Sequence, residues 1–301
     1  MMKNAWGRWA LAGALLLLAG CGGMGGQIGP VDLGLVSKGV ELFAAASTKI
    51  GRDDEVNIGR GVAARILAQY GAWHEPMLRQ YVNLVGQSLV QSVGRDDITY
   101  HFTILNTDTV NAFSTPGGYI FITRGALRQM RDESELAGVL GHEVAHVNQR
   151  HVLSEIENRY FLRKAGETAI QAAGTYGGTG GAATMTALQA GGPVFSQIAD
   201  FATDVIFKGY NRSQEIEADK VGAEYAYRAG YNPGGLVSFL EASLARSQRN
   251  EEAVSTGLMR THPIHAERIG ELRTYIQANL TGFDNLPRLG DRYTQWTRGR
   301  I

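Results

Sequence analysis

Apolar residues recur at helical spacing along most of the chain, and the period drops to two over one central stretch. Residues 31–50 carry weak helical periodicity around Leu33, Val36, Val40 and Phe43. DDEVNIGRGVAARILAQYG opens on acids suited to a helix N-terminus, keeps Val56, Gly59, Ala63 and Ile66 on one face, and stops at Gly71. A second helix is predicted from Pro76 to Gly94, with Leu78, Val82, Val85 and Leu89 inward. The pattern then alternates. ITYHFTILN reads as a strand, and NAFSTPGGYIFITRG as a short strand, a Pro-Gly-Gly turn and a second strand, Tyr119 to Thr123. Pro116 has no N–H for a ladder, which places NAFSTP at a sheet edge.

Helical character returns at Ala126. Asp132 and Glu135 form a capping-box pattern ahead of GVLGHEVAHVNQRH, and the periodicity runs on to about Ala173. A glycine-rich stretch over 174–192 reads as a loop, with a lid over the site as its functional reading. Helices are predicted from Val194 to Phe207, from near Ser213 to Gly230, after Asn232-Pro233, and within THPIHAERIGELRTYIQ as the last. Residues 282–301 show no clear period, and no repeat of 20–50 residues occurs, which speaks against an attached helical-repeat domain. The pattern predicts a predominantly helical α+β fold with a small antiparallel sheet.

The N-terminus departs from this pattern. MMKNAWGRW carries Lys3 and Arg8 and no acid, and is followed by the eleven apolar or small residues ALAGALLLLAG. A bilayer span needs about 20 apolar residues, so the run fits the core of a secretion signal. It ends in LAGC, a small-residue cleavage signal before a cysteine, and resembles a bacterial lipoprotein signal. Residues 1–20 would be removed and Cys21 lipidated. Gly22, rather than Asp, after the cysteine points to the outer membrane. Residues 21–50 read as a tether and N-terminal helix, 51–281 as the main domain. Basic and acidic residues balance at 29 each, and losing Lys3 and Arg8 makes the mature chain net negative. Nothing in that balance suggests a nucleic-acid partner. Cys21 is the chain's single cysteine, so the mature chain needs no disulfide in an oxidising compartment.

Chemistry concentrates in GHEVAHVNQRH. His142 and His146 are four apart and share a helix face, where two imidazoles can hold one zinc ion. Glu143 projects from the flank of that face, within reach of a water beside the ion. Leu136, Val139, Leu140, Val144 and Val147 surround these groups with apolar residues, a setting in which two histidines and an acid need a reason. A catalytic zinc usually takes three protein ligands. The remaining candidates are His151, His262, His265 and the acids of NRSQEIEADKVGAEY. On an unbroken helix His151 points about 140° away from His146. Glu215 and Asp219 share a face beside Ala218 and Gly222, which allows close helix approach, while Glu217 points elsewhere. Glu215 as ligand with Asp219 orienting a ligand histidine is the economical arrangement.

GHEVAHVNQRH, followed about 70 residues later by NRSQEIEADKVGAEYAYRAGYNP, resembles the zinc metallopeptidases related to CAAX prenyl protease and HtpX, in the soluble periplasmic BepA- and LoiP-like branch. NAFSTPGGYIFITRGAL and THPIHAERI match two further motifs, and the resemblance covers roughly Asp53 to Ile276. It implies a zincin (gluzincin) fold binding one zinc ion through His142, His146 and Glu215. Glu143 would be the catalytic general base, with Asp219 assisting. It also puts His262 where it can approach the metal and Arg268 at a basic position near the site, as a regulatory group or an oxyanion donor. The edge strand Asn111, Ala112, Phe113 and Ser114 is expected to pair with extended substrate. Membrane-embedded relatives carry hydrophobic spans that this chain lacks.

The leading function is a lipid-anchored endopeptidase at the periplasmic face of a Gram-negative outer membrane, clearing unfolded or misassembled envelope proteins. One alternative is an outer-membrane assembly chaperone with a mainly structural zinc, partnered with the assembly machinery. A weaker one is a zinc exopeptidase.

Overall fold

The computed structural model describes residues 50–159, 193–249 and 257–301. The signal segment, Cys21, the tether and N-terminal helix up to residue 49, and the glycine-rich loop lie outside the described residues. Helix α1 (Arg52–Tyr70) and helix α2 (Pro76–Val93) lead into strand β1 (His101–Leu105). Strand β2 (Ala112–Thr115), a tight turn at Pro116–Gly118, and strand β3 (Tyr119–Thr123) follow. Helix α3 (Arg124–Gln129) and helix α4 (Glu133–Asn148) come next, then α5, whose described part is 151–159. Helices α6 (Pro193–Lys208), α7 (Arg212–Arg228), α8 (Gly234–Gln248), α9 (Leu258–Thr261), α10 (Ala266–Asn279) and α11 (Gly290–Thr297) complete the described residues.

The sheet is mixed, not antiparallel, with strand order β1-β3-β2. Strand β3 pairs in parallel with β1 (Phe102 against Ile120) and antiparallel with β2 (Phe113 against Phe121). The loop over 106–111 crosses the end of the central position before β2 begins, so β3 returns between the two. Gly117 and Gly118 turn that corner at φ +73° and +90°, values that favour glycine. β2 is an edge strand, as Pro116 indicates. Both sheet faces are covered: Phe102, Ile104, Ile120 and Ile122 join the larger core with α2 and α4, while Phe113 and Phe121 join a second cluster with α1 and α6. That explains why β2 is buried throughout.

The predicted inward face of α2 is buried at all four positions, Leu78, Val82, Val85 and Leu89. The long helix expected to run on from Ala126 is broken twice, at Met130–Asp132 and again after Asn148. Arg150 takes φ +56°, held there by Glu55 at 2.6 Å and the Ile50 carbonyl at 2.7 Å. The helix containing Ala266 is not the last, because α11 follows. Its Trp296 stacks on Tyr81 at 5.4 Å, and Arg292 pairs with Glu133.

Helix α4 packs most closely against α7, with glycine at the crossing. A Cβ on Gly222 would lie 2.6 Å from the His142 nitrogen, and one on Gly141 would lie 2.7 Å from the Gly222 oxygen. Gly222→Val is therefore expected to cost about 1–3 kcal/mol or more. A fall in the urea midpoint checks this; an unchanged midpoint would show room between the helices.

Candidate metal centre

Helix α4 begins with its cap in place. Asp132 Oδ1 accepts from the Glu135 nitrogen at 2.9 Å, while the Glu135 carboxylate accepts from the Arg131 nitrogen, one residue before the cap. Two turns on, His142 and His146 project toward α7 and the segment after α9. Helix α7 has a complete capping box, Asn211 with Gln214, which sets Glu215 in its first turn.

These elements converge four buried donors, His142, His146, Glu215 and His262, with ligand atoms all within 4.8 Å of one another. His142 Nε2 lies 3.0 Å from His146 Nε2 and 3.3 Å from His262 Nδ1. Glu215 Oε1 lies 2.9 Å from His262 Nδ1 and 3.4 Å from His146 Nε2. Four ligands on a tetrahedral zinc ion, each about 2.0–2.1 Å from it, are about 3.4 Å apart. The cluster thus has the spacing, as well as the nitrogen and oxygen chemistry, for such an ion. Glu215 Oε2 is buried without an aligned hydrogen bond, although Arg268 Nη1 is 2.5 Å away.

Charge agrees with this fit. Glu143, Glu215 and Asp219 are buried together with one permanent cation, Arg268, which pairs with Glu215 and Asp219, so the acids exceed it by two. Burial holds His146 well below the ordinary imidazole range, which keeps it neutral. Burial would raise Glu215, but His262 and Arg268 hold it well below the usual carboxylate range. A neutral imidazole and an ionised carboxylate are the forms that bind a metal. Burial opposes charge on His262, yet Glu215 and Glu143 raise its pKa to about 8. The carboxylates favour positive charge at this point.

Asp219 Oδ1 stands 2.9 Å from His142 Nδ1, a close contact short of hydrogen-bond alignment. Arg268 grips Asp219 through Nε and Nη2, at 2.5 and 2.7 Å, and gives Nη1 to the Pro263 carbonyl. Its donors are thus committed to Asp219, Glu215 and Pro263. Glu143 accepts from Ser114 Oγ at 2.7 Å through Oε2, and its Oε1 lies 3.5 Å from His262 Nε2. His265 stands at the N-terminal boundary of α10, makes no capping side-chain bond and does not join the cluster. Asn111, Ala112, Phe113 and Ser114 are all buried. The Asn111 side chain accepts from Thr261 Oγ1, and the Val110 carbonyl from the Leu258 nitrogen, tying the edge strand to the segment that carries His262. A small pocket beside His142 and Glu143 is walled by Val139, Leu236, Phe239 and Leu240.

Sequence reasoning missed two groups. Ser114 is more than an edge residue, since it holds Glu143. Tyr210 stacks on His146 with ring centres 3.9 Å apart, and no sequence signal beyond its place just before the α7 cap marks it. His151 is not one of the four donors, but its ring turns toward the centre because α4 ends at Asn148.

Two histidines one turn apart with an acid beside the first, a third donor from a second helix, and a small sheet against the first helix define a zincin-type metallopeptidase. The sequence profile of Peptidase family M48 matches residues 76–276, and the chain belongs to that family. It is similar to the "Beta-barrel assembly-enhancing protease" of Yersinia pestis, 29% identical over 81% of this chain and 50% of that protein. It is also similar to "Metalloprotease YcaL" of Escherichia coli, 26% identical over 91% of this chain and 98% of the relative. "Metalloprotease LoiP" of Escherichia coli is 25% identical over 87% of this chain and 93% of the relative. The chain spans about half the length of the beta-barrel assembly-enhancing proteases it matches. These similarities agree with the BepA- and LoiP-like branch that the motifs resemble. Membership implies a metal, and the buried His/Glu cluster has donors for one.

Proposed function

We propose that the chain is a zinc-dependent endopeptidase of the bacterial envelope that hydrolyses peptide bonds in unfolded or misassembled proteins. The observation that carries this reading is Glu143, a buried carboxylate beside His142 with one oxygen pinned by Ser114 and the other 3.5 Å from His262 Nε2. His142, His146 and Glu215 would hold the ion, with Asp219 orienting His142. Zinc there supplies Lewis acidity toward a carbonyl and a water acidified to near neutral pH. Glu143 Oε1 would take a proton from the attacking water as its oxygen bonds to the carbonyl carbon, and would pass it to the amine nitrogen as the C–N bond breaks. Arg268 steadies Asp219 and Glu215, and Tyr210 limits the tilt of His146.

His262 gives the reading a resting state. Standing as a fourth donor, it would close the position that a catalytic site leaves open. The edge strand Asn111–Ser114 would pair with an extended peptide once the stitched segment from Leu258 to His262 moves aside. Strand exposure and His262 withdrawal would then be one motion, and a locally extended chain would be the preferred substrate. The closed four-donor set also suits the second reading, an assembly chaperone with a structural zinc.

The lipoprotein-like signal ending at Cys21 supports an outer-membrane anchor, and the name "Beta-barrel assembly-enhancing protease" of the relatives supports envelope substrates. Among the described residues no helix is long and apolar enough to cross a membrane. Cys21→Ser is expected to move the chain from the membrane to the soluble fraction on cell fractionation. To test the activity, an unfolded protein is digested with the purified chain, with and without a chelator. Internal fragments that vanish with chelator and return with zinc are expected, with cuts enriched beside apolar residues that suit the Phe239–Leu240 wall. Single residues or dipeptides as products would indicate an exopeptidase. No cleavage by the zinc-loaded chain, with or without His262→Ala, would favour the chaperone.

A further inference from the structure

The two histidines of α4 have different partners at the nitrogen facing away from the donor cluster. His142 Nδ1 faces the carboxylate of Asp219. His146 Nδ1 faces another histidine, His151 Nδ1, at 2.8 Å, with the rings nearly perpendicular at 75°. His151 is buried, and its Nε2 lies 3.3 Å from Glu217 Oε2, on a side chain 52% exposed. This arrangement depends on Arg150. Its left-handed conformation ends the run of α4 and brings the next residue back over His146, and Glu55 holds Arg150 in place.

We propose that His151 is the positioning residue for His146, fixing its tautomer and ring orientation, with Glu217 anchoring His151 from the surface. The inference rests on the reading of His142, His146 and Glu215 as metal ligands. Proton bookkeeping then sets every bond in the chain. A His146 whose Nε2 lone pair goes to the ion carries its proton on Nδ1. It donates to His151 Nδ1, which must therefore be bare. His151 then carries its own proton on Nε2 and donates to the Glu217 carboxylate. Neutral His151 is the acceptor, and the chain has one direction, from the centre to the surface. Ligand histidines elsewhere take a carboxylate, carbonyl or water in this position, and losing that partner weakens metal binding by about 10–100-fold.

The test is the zinc dissociation constant of the full chain, measured by competition with a chelator of known affinity. His151→Ala, His151→Asn and His151→Gln are compared, with metal-free thermal midpoints recorded alongside. His151→Ala is expected to bind zinc about 10–100-fold more weakly. His151→Asn is expected to recover most of the loss, because its Oδ1 takes the place of Nδ1 as acceptor. His151→Gln, whose acceptor reaches the Nε2 position instead, is expected to behave like the alanine variant. Zinc affinity unchanged in His151→Ala would overturn the proposal. So would equal affinity of the Asn and Gln variants, a comparison that still stands if the alanine variant fails to fold. Absence of zinc binding by the unaltered chain would remove the metal reading itself, and is told apart by that control.

Discussion

Glu143→Gln is expected to slow peptide-bond cleavage by about 10²–10⁴-fold, the range for removing a positioned general base. Zinc content and thermal midpoint are expected to stay near those of the unaltered chain. The substitution keeps the shape of the side chain and its ability to accept from Ser114 Oγ, so the packing of β2 on α4 is preserved. What it removes is the basic oxygen that lies 3.5 Å from His262 Nε2. Quantitative cleavage of an unfolded protein, read with zinc analysis, checks the prediction. If cleavage is lost while the cellular phenotype persists, binding rather than hydrolysis carries the function. If cleavage is undiminished, Glu143 is not the base.

His262→Ala is expected to raise proteolysis, with somewhat weaker zinc binding. In the structure His262 lies 2.9 Å from Glu215 and 3.3 Å from His142, in position to complete a closed four-donor set. Minor conformations of proteins commonly hold about 0.1–10% of the population. If the open form lies in that range, freeing the fourth position raises the rate about tenfold or more, because the observed rate scales with the competent fraction. Initial rates at saturating zinc check this. Unchanged or lower activity with zinc still bound would count against a latent resting state. The Thr261–Asn111 hydrogen bond predicts a companion effect: Thr261→Val should loosen the same segment and move the rate in the same direction.

The parts of this centre that were readable in the chain are those set by local periodicity. A spacing of four puts His142 and His146 on one face, and the same rule puts Glu215 beside Asp219. Ala218 and Gly222 signalled a close helix contact, and the Gly141–Gly222 crossing is that contact. The sheet was less readable. Strand character follows from alternation, but strand order depends on how six loop residues route the chain, and alternation says nothing of that. His151 shows the limit most clearly. Its angle from His146 was sound for an unbroken helix, yet α4 stops at Asn148 because a buried acid almost 100 positions earlier, Glu55, holds Arg150 in a left-handed turn. The C-terminal residues lacked a period because only a short helix forms there, held by ion pairs and one aromatic stack.

Those C-terminal contacts govern the order in which the molecule can assemble. The start of α4 is finished by residues far along the chain: Ser134 donates to the Arg288 carbonyl, Arg288 pairs with Asp132, and Arg292 with Glu133 across 159 positions. Contacts of such separation form only after the intervening chain is available. During synthesis, the histidines of α4 emerge long before the groups that secure the head of their helix. The head of α4 is therefore secured only after every residue of the donor cluster, His262 included, has been made.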